Sequence, residues 1–251
     1  MDKFMIQPII DLFPVLQGEG MYAGIPHILI RTSGCNLRCS FKTSLCDTAY
    51  SSWYSEPGKY SLQDVYNVLS SNDKIHHVMI TGGEPTLHMP LVEDLVSICR
   101  GLNKIVTLET NGTIPYPHDK NFYVDLVSIS PKLKSSIPYG QPHNAKTHEE
   151  RRENIFAIAS WILNSRNYQL KYVISDETDI QEVTDQINRI FDEIKRIEPF
   201  HKDIIVYLMP EGDTEEKLKE KRQWLSRRCI ELGYYYTDRL HIIIWGSKRE
   251  A

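Results

Sequence analysis

No stretch of this chain approaches the ~20 consecutive apolar residues that a membrane-spanning helix needs, and the opening Met1-Asp2-Lys3-Phe4-Met5 lacks the long apolar core of a secretion signal. No membrane partner is expected, and the protein is expected to stay in the cytoplasm. An excess of basic charge is missing too. The 29 Lys and Arg stand against 33 Asp and Glu, a net charge of −4, so there is no broad field of the kind that drives nonspecific nucleic-acid binding. A small-molecule partner fits better, and no nucleic acid is expected. Cysteine is scarce and odd in number, five in 251 residues with three crowded between positions 35 and 46, which argues against a disulfide framework and for a reducing compartment. Cys99 and Cys229 fall in segments of helical periodicity and read as small buried apolar side chains. Internal repeats and low-complexity tracts are also absent, and a 41% hydrophobic content can fill one sizeable core. A single domain over 1–251 is expected.

What is present is an alternation of strand and helix patterns. Runs rich in β-branched and aromatic residues recur at His27 to Arg31, His77 to Ile80, Ile105 to Leu108, Tyr123 to Ile129, Gln169 to Ile174 and Ile204 to Leu208. Between them, apolar residues repeat at three- and four-residue steps: Leu91, Leu95, Ile98 and Leu102; Ile155, Ile158 and Trp161; and Ile180 through Ile197 in the segment from Thr178. Asp213 with Glu216 reads as a capping box opening a polar helix that runs to about Gly233. Lys132 to Lys146 reads as a long loop, and the apolar run Leu240 to Trp245 as a closing or edge strand. The pattern predicts an α/β fold with a parallel sheet wrapped by helices, either an open doubly wound sheet or a complete or partial barrel. The unusual residues follow the strands: the cysteines, Gly82-Gly83-Glu84-Pro85, Glu109-Thr110-Asn111-Gly112, Ser130-Pro131-Lys132 and Met209-Pro210-Glu211. In a parallel α/β architecture those positions share the rim where active sites are built.

Cys35-x3-Cys39-x6-Cys46 places three soft sulfur ligands within twelve residues, the ligand type that iron–sulfur clusters and zinc select. A closed zinc site wants a fourth ligand, and no histidine lies between His27 and His76. Three cysteines on a four-iron cube leave one iron open to a small ligand. A zinc site completed from elsewhere, or three unrelated thiols, are the alternatives on spacing alone.

Thr81-Gly82-Gly83-Glu84-Pro85 offers bare backbone for close approach and a carboxylate suited to an ammonium group, or else a tight turn. Ser130 and Lys132 offer a hydroxyl and an ammonium for ribose or carboxylate contacts, although most lysines are simply solvated. Gln17-Gly18-Glu19-Gly20 can grip a polar heterocycle or serve as a glycine-rich turn. Arg31 ends an otherwise apolar strand with a fork that matches a carboxylate, and an inward arginine is costly without a partner.

On these residues the sequence resembles the radical S-adenosylmethionine (SAM) superfamily and, more narrowly, the 7-carboxy-7-deazaguanine synthase family. The likeness runs in order through Leu16 to Gly20, Gly24-Ile25-Pro26, Ile30-Arg31, Gly34 to Cys39, Cys46-Asp47-Thr48, Thr81 to Pro85, Glu109 to Thr113, Ser130 to Lys132 and Arg239-Leu240-His241. The resemblance implies a modified, incomplete (β/α) barrel of parallel strands, forming homodimers. It implies reductive cleavage of SAM to a 5'-deoxyadenosyl radical and conversion of 6-carboxy-5,6,7,8-tetrahydropterin into 7-carboxy-7-deazaguanine with loss of ammonia, fed by an electron donor such as flavodoxin or ferredoxin. Carried over position by position, Cys35, Cys39 and Cys46 hold a [4Fe-4S] cluster, Gly83, Ser130, Pro131 and Lys132 contact SAM, Leu16, Gln17, Gly18, Arg31 and Thr81 contact the pterin, and Thr48 ligates Mg2+.

Two departures stand out. Six residues separate the second and third cysteines where two are usual, as if Lys42-Thr43-Ser44-Leu45 were inserted, and Met209-Pro210 stands where the family often has Gln-Pro. The cluster loop survives the first departure only if the insert turns outward. Another radical SAM activity, such as glycyl-radical activation of a partner protein, and a non-enzymatic zinc-binding module are the competing readings.

Overall fold

The computed structural model describes residues 3–42, 44–117, 122–198, 203–246 and 248–249. Its strands are β1 (Ile6–Gln7), β2 (Ile9–Leu16), β3 (Pro26–Thr32), β4 (Tyr60–Ser61), β5 (His77–Gly82), β6 (Ile105–Thr110), β7 (Leu126–Ile129), β8 (Tyr168–Ile174), β9 (Val206–Pro210) and β10 (Tyr235–Tyr236). The helices are α1 (Ala49–Ser52), α2 (Leu62–Ser71), α3 (Met89–Gly101), α4 (Pro142–Arg151), α5 (Ile155–Asn164), α6 (Thr178–Ile197), α7 (Glu215–Leu232) and α8 (Leu240–Trp245). Eight strands form one sheet in the order β10-β9-β8-β7-β6-β5-β3-β2, while β1 and β4 pair separately. Every neighbouring pair from β3 to β10 is parallel, and β2 alone runs antiparallel, against β3. The sheet is open, with β2 and β10 at its two edges, as the expected incomplete (β/α) barrel requires.

The two-residue period of a strand divides the sheet into two unlike faces. Ile28 and Ile30, Val78 and Ile80, Val106 and Leu108, Leu170 and Tyr172 are fully or almost fully buried and join one apolar cluster with side chains of α2, α3, α5 and α6. Each such aliphatic side chain contributes roughly 1.5–3 kcal/mol by leaving water. The intervening residues Arg31, Thr81, Glu109, Ser128 and Lys171 line a cavity on the opposite face. The sheet thus carries its stability on one side and its chemistry on the other.

The helix read from Thr178 to Ile197 has those bounds, and Val183, Ile190 and Ile194 are fully buried along its apolar stripe. Cys99 and Cys229 are buried packing residues. Three expectations are corrected. Leu240–Trp245 is a short helix, not a strand; its start is tied to the N-terminal loop by the Leu240 amide, which donates to the Gly18 carbonyl at 2.9 Å. The stretch from Lys132 to Lys146 holds a 3-10 turn at Lys134–Ser136 and the first part of α4, whose proline sits where a helix start lacks a bonded amide. Thr214, not Asp213, caps α7, accepting from the Lys217 amide, while Asp213 pairs with the Lys217 ammonium at 2.6 Å. Strand β2, absent from the sequence reading, packs against β3 with a bulge between Ile9 and Asp11.

Candidate active site

Above the carboxyl ends of the parallel strands lies a cavity of about 650 Å³. Leu16, Gln17, Gly18, Arg31, Cys35, Cys39, Cys46, Thr48, Thr81, Gly83, Ser130 and Lys132 line it. Pro131 is buried and does not.

The cysteine loop leaves β3 and is braced on several sides. The Gly34 amide donates to the Ser51 carbonyl and the Glu84 amide to the Gly34 carbonyl, both at 2.8 Å. Asn111 donates to Asn36 at 2.9 Å, and Asn36 to Thr113 at 2.7 Å. Across the loop, the buried His148 of α4 accepts from the Arg38 amide at 3.2 Å through Nδ1 and meets Ser136 at 3.0 Å through Nε2. The Ser40 amide donates to the Ser136 carbonyl, so the loop after Lys132 and the cysteine loop are built as one unit. The insert between Cys39 and Cys46 is taken up in a hairpin: Ser40 and Leu45 form an antiparallel bridge, and the Ser44 hydroxyl donates to Glu211 at 2.6 Å. It does not simply turn outward, since Ser44 and Leu45 line the cavity. Thr43 lies outside the described residues.

Burial pushes the Cys35 thiol up to about 12, with the Glu84 carboxylate adding to the shift, and raises Cys39 further still, Lys132 opposing. A thiol so placed ionises when a soft cation meets it, the cation's charge taking over the role of the missing solvent. Among the described residues no three His, Cys, Asp or Glu side chains converge on a point where one metal ion could sit. The imidazole beside Gly34, His88, is engaged at 2.9 Å with the Ser33 carbonyl. Three thiols line the cavity, soft donors of the kind that an iron–sulfur cluster takes, and His241 is the imidazole that lines it with them.

Glu84 does not reach out for an ammonium. It is fully buried and accepts from the Thr86 amide and hydroxyl, the Thr110 hydroxyl at 2.7 Å and the Asn111 amide at 2.6 Å. Burial raises its pKa, and these bonds hold the rise in check. It ties the end of β5 to the end of β6. The neighbouring glycine has an equally specific reason: a Cβ on Gly83 would stand 2.2 Å from the Gly34 carbonyl oxygen and 2.6 Å from that of Ser51. The bare backbone serves a close approach, and the partner is the cysteine loop.

Two buried cations, Lys171 and Arg239, face three carboxylates along the cavity. Lys171 donates to Glu19 at 2.5 Å and Glu109 at 3.2 Å, and Arg239 donates to Glu19 at 3.2 Å, to Asp47, and to the Gly212 carbonyl at 2.7 Å. Burial alone would raise the Glu19 pKa, but Lys171 and Arg239 outweigh it and hold the carboxylate ionised. Thr81 donates to the other Glu109 oxygen at 3.1 Å. Sequence reasoning assigned no role to Lys171, whose signal was a polar residue alternating with apolar ones in a buried strand. Lys132 donates to Ser130 at 2.7 Å, and the Thr48 hydroxyl lies 3.5 Å from the Cys46 sulfur.

Arg31 donates through Nε to Asp11 at 2.9 Å, and among the described residues nothing bonds its terminal amino groups. Its side chain is 15% exposed and lines the cavity. The arrangement offers a positive fork to an anionic group inside a chamber that also holds the three thiols.

Comparison with known proteins agrees with this geometry. Residues 29–160 match the model of the radical SAM superfamily. A 7-carboxy-7-deazaguanine synthase of Halobacterium salinarum is 37% identical, the match covering 97% of this chain and 92% of the relative. One from Rhodopirellula baltica is also 37% identical, over 96% of this chain and 87% of the relative. The crystal structure of QueE from Escherichia coli shares the fold with a TM-score of 0.62 at 23% identity, covering 93% of this chain and 94% of that one. With a superfamily match across more than half of its length and 37% identity spanning nearly all of it, this chain belongs to the 7-carboxy-7-deazaguanine synthase family of radical SAM enzymes.

Proposed function

We propose that the chain converts 6-carboxy-5,6,7,8-tetrahydropterin into 7-carboxy-7-deazaguanine with release of ammonia. The observation that carries this reading is the free edge of Arg31, a carboxylate-shaped fork opening into the cavity that Cys35, Cys39 and Cys46 also line. Names of the curated relatives support it. The [4Fe-4S] cluster and SAM, when bound, supply a 5'-deoxyadenosyl radical for hydrogen abstraction. Cys35, Cys39 and Cys46 would hold that cluster, and Gly83 with Ser130-Pro131-Lys132 would contact SAM, Pro131 by fixing the backbone between its neighbours rather than by facing the cavity.

The chain's own work is to bind and orient the pterin and to exclude water. Arg31 takes the substrate carboxylate, while Leu16-Gln17-Gly18 and Thr81 border the ring. Lys171 and Arg239 keep the Glu19 carboxylate charged within this wall. Thr48 would give Mg2+ a hard oxygen ligand. A single domain over 1–251, a homodimer and flavodoxin or ferredoxin as electron donor complete the proposal, with the cytoplasm as its site of action.

Anaerobic reconstitution with iron, sulfide, SAM, Mg2+ and reductant tests it. A brown protein that yields 5'-deoxyadenosine and 7-carboxy-7-deazaguanine, identified by mass spectrometry only when the carboxylated tetrahydropterin is present, supports the proposal. Colourless protein holding stoichiometric zinc after anaerobic purification rejects it, as does a radical transferred to a partner protein without the pterin.

A further inference from the structure

Asp11 has a side chain with no exposure at all, yet it is surrounded by charge. Four donors fill its carboxylate. Arg31 Nε and the Tyr50 hydroxyl reach Oδ2, each at 2.9 Å, and Arg249 reaches Oδ1 through Nε at 3.1 Å and Nη2 at 2.7 Å. The Arg249 guanidinium also lies 3.8 Å from the centre of the Tyr50 ring and pairs with Glu56 at 2.8 Å.

The backbone explains how Asp11 comes to be there. Ile9 opposes Thr32 on the core side, and the bulge that follows shifts the register so that Asp11, not Ile10, stands directly across from Arg31. Beyond the bulge Phe13 pairs with Leu29, and both line the cavity. Bulges that re-aim a side chain gather next to active sites.

We propose that Asp11 is a positioning residue for substrate selection: by holding Arg31 through Nε it fixes the opposite edge of the guanidinium toward the cavity for a substrate carboxylate. The inference rests on the substrate reading above and deepens it. A guanidinium held along one edge has little orientational freedom left to lose when an anion docks on the other. Arg249 has the complementary task. It takes the other oxygen of Asp11, so that the carboxylate is shared between two arginines rather than spent on Arg31 alone, and Glu56 balances Arg249 in turn.

The charge count makes the test decisive. Asp11→Asn removes a negative charge beside Arg31, so a purely electrostatic role predicts tighter binding of an anion, and a positioning role predicts weaker binding. Affinities for 6-carboxy-5,6,7,8-tetrahydropterin and for 5,6,7,8-tetrahydropterin, which lacks the carboxylate, are measured by anaerobic calorimetry on reconstituted enzyme with SAM and Mg2+ but no reductant. The expected result for Asp11→Asn is a loss of at least about tenfold for the carboxylated ligand, with affinity for the other ligand unchanged. Unchanged or tighter binding of the carboxylated pterin overturns the inference, and so does an equal loss for both ligands, which marks a merely structural role. If Asp11→Asn does not fold, Tyr50→Phe, which removes one donor without altering charge, is read the same way: a selective loss for the carboxylated pterin supports the inference and equal affinities overturn it. A wild-type enzyme that holds the two pterins alike overturns the substrate reading and this inference together, and is told apart because in every other case the wild type discriminates.

Discussion

Cys39 and Cys46 stand opposite each other at the base of a hairpin, with the Cys46 amide donating to the Cys39 carbonyl at 3.2 Å. Above that base the Phe41 amide donates to the Ser44 carbonyl at 2.7 Å. The lengthened spacing is therefore absorbed by a hairpin, and the two cysteines remain neighbours across its base. The Trp53 indole fixes the same base by donating to the Cys39 carbonyl at 2.9 Å.

The hairpin tip is held separately, by Ser44 on one oxygen of the buried Glu211 and by Lys221 on the other at 2.5 Å. Ser44→Ala removes one charge-assisted bond and leaves the Lys221 pair, so a loss of about 1–2 kcal/mol is expected, lowering Tm by roughly 2–8 °C. Iron content should stay at the wild-type level, because the base that carries the cysteines is untouched. Scanning calorimetry and iron analysis check both halves; lost iron at an unchanged Tm would show that the tip supports the cluster rather than the fold.

Gly83→Ala should act in the opposite sense. Its Cβ would meet two carbonyl oxygens at 2.2 and 2.6 Å, both in backbone that cannot rotate aside, and one of them belongs to Gly34, next to Cys35. Overpacking of this kind costs about 1–3 kcal/mol, and the strain falls on the cluster loop. Reduced iron per chain after reconstitution is the expected outcome. Gly101→Ala, where a Cβ has no neighbour within 4 Å, is the control and should bind iron as the wild type does.

His148 gives stability a pH dependence. Burial, with Lys132 and Arg152 adding repulsion, pulls its pKa from 6.5 down to about 4. The unfolded chain takes up a proton on this residue near 6.5 while the folded chain does not until about 4, so the contribution is fully present above 6.5 and is lost as pH falls through that window. His148→Gln lacks the titration. Its stability profile, measured by denaturant unfolding of cluster-free protein, should be flatter between pH 6.5 and 4; a slope equal to the wild type would assign the dependence to other groups.

The elements that sequence pattern located are those whose neighbours reinforce local preference. Ile28, Ile30, Val78 and Ile80 face helices, and α6 shows its stripe because one face alone is buried. Leu240–Trp245 is the counterexample: its β-branched run suggests a strand, but only Ile242 is buried, and the segment docks as a helix through Leu240 onto the Gly18 carbonyl. Strand β2 was hidden by its bulge and by Pro14, which break the alternation. At the site, the cysteines announced themselves by spacing, whereas Asp11, Lys171 and Glu109 take their meaning from partners 20, 152 and 28 residues away, a separation that no local pattern encodes.

Lys171 carries the last prediction. Its ammonium is 5% exposed and sits between Glu19 and Glu109; burial opposes its charge, but the two carboxylates prevail and raise its pKa. Lys171→Met leaves Glu19 with Arg239 alone and Glu109 with hydroxyl and amide donors alone, two carboxylates facing each other across the space the ammonium held. Breaking a buried pair in this way costs about 3–5 kcal/mol, a fall in Tm of roughly 6–20 °C for a chain of this size. Because the cost is an uncompensated negative charge rather than a lost contact, neutralising one carboxylate should recover part of it. Lys171→Met combined with Glu109→Gln is expected to be more stable than Lys171→Met alone, a coupling that a double-mutant cycle by calorimetry reads directly. Strict additivity of the two substitutions would mean that the methionine, not the stranded charge, causes the loss.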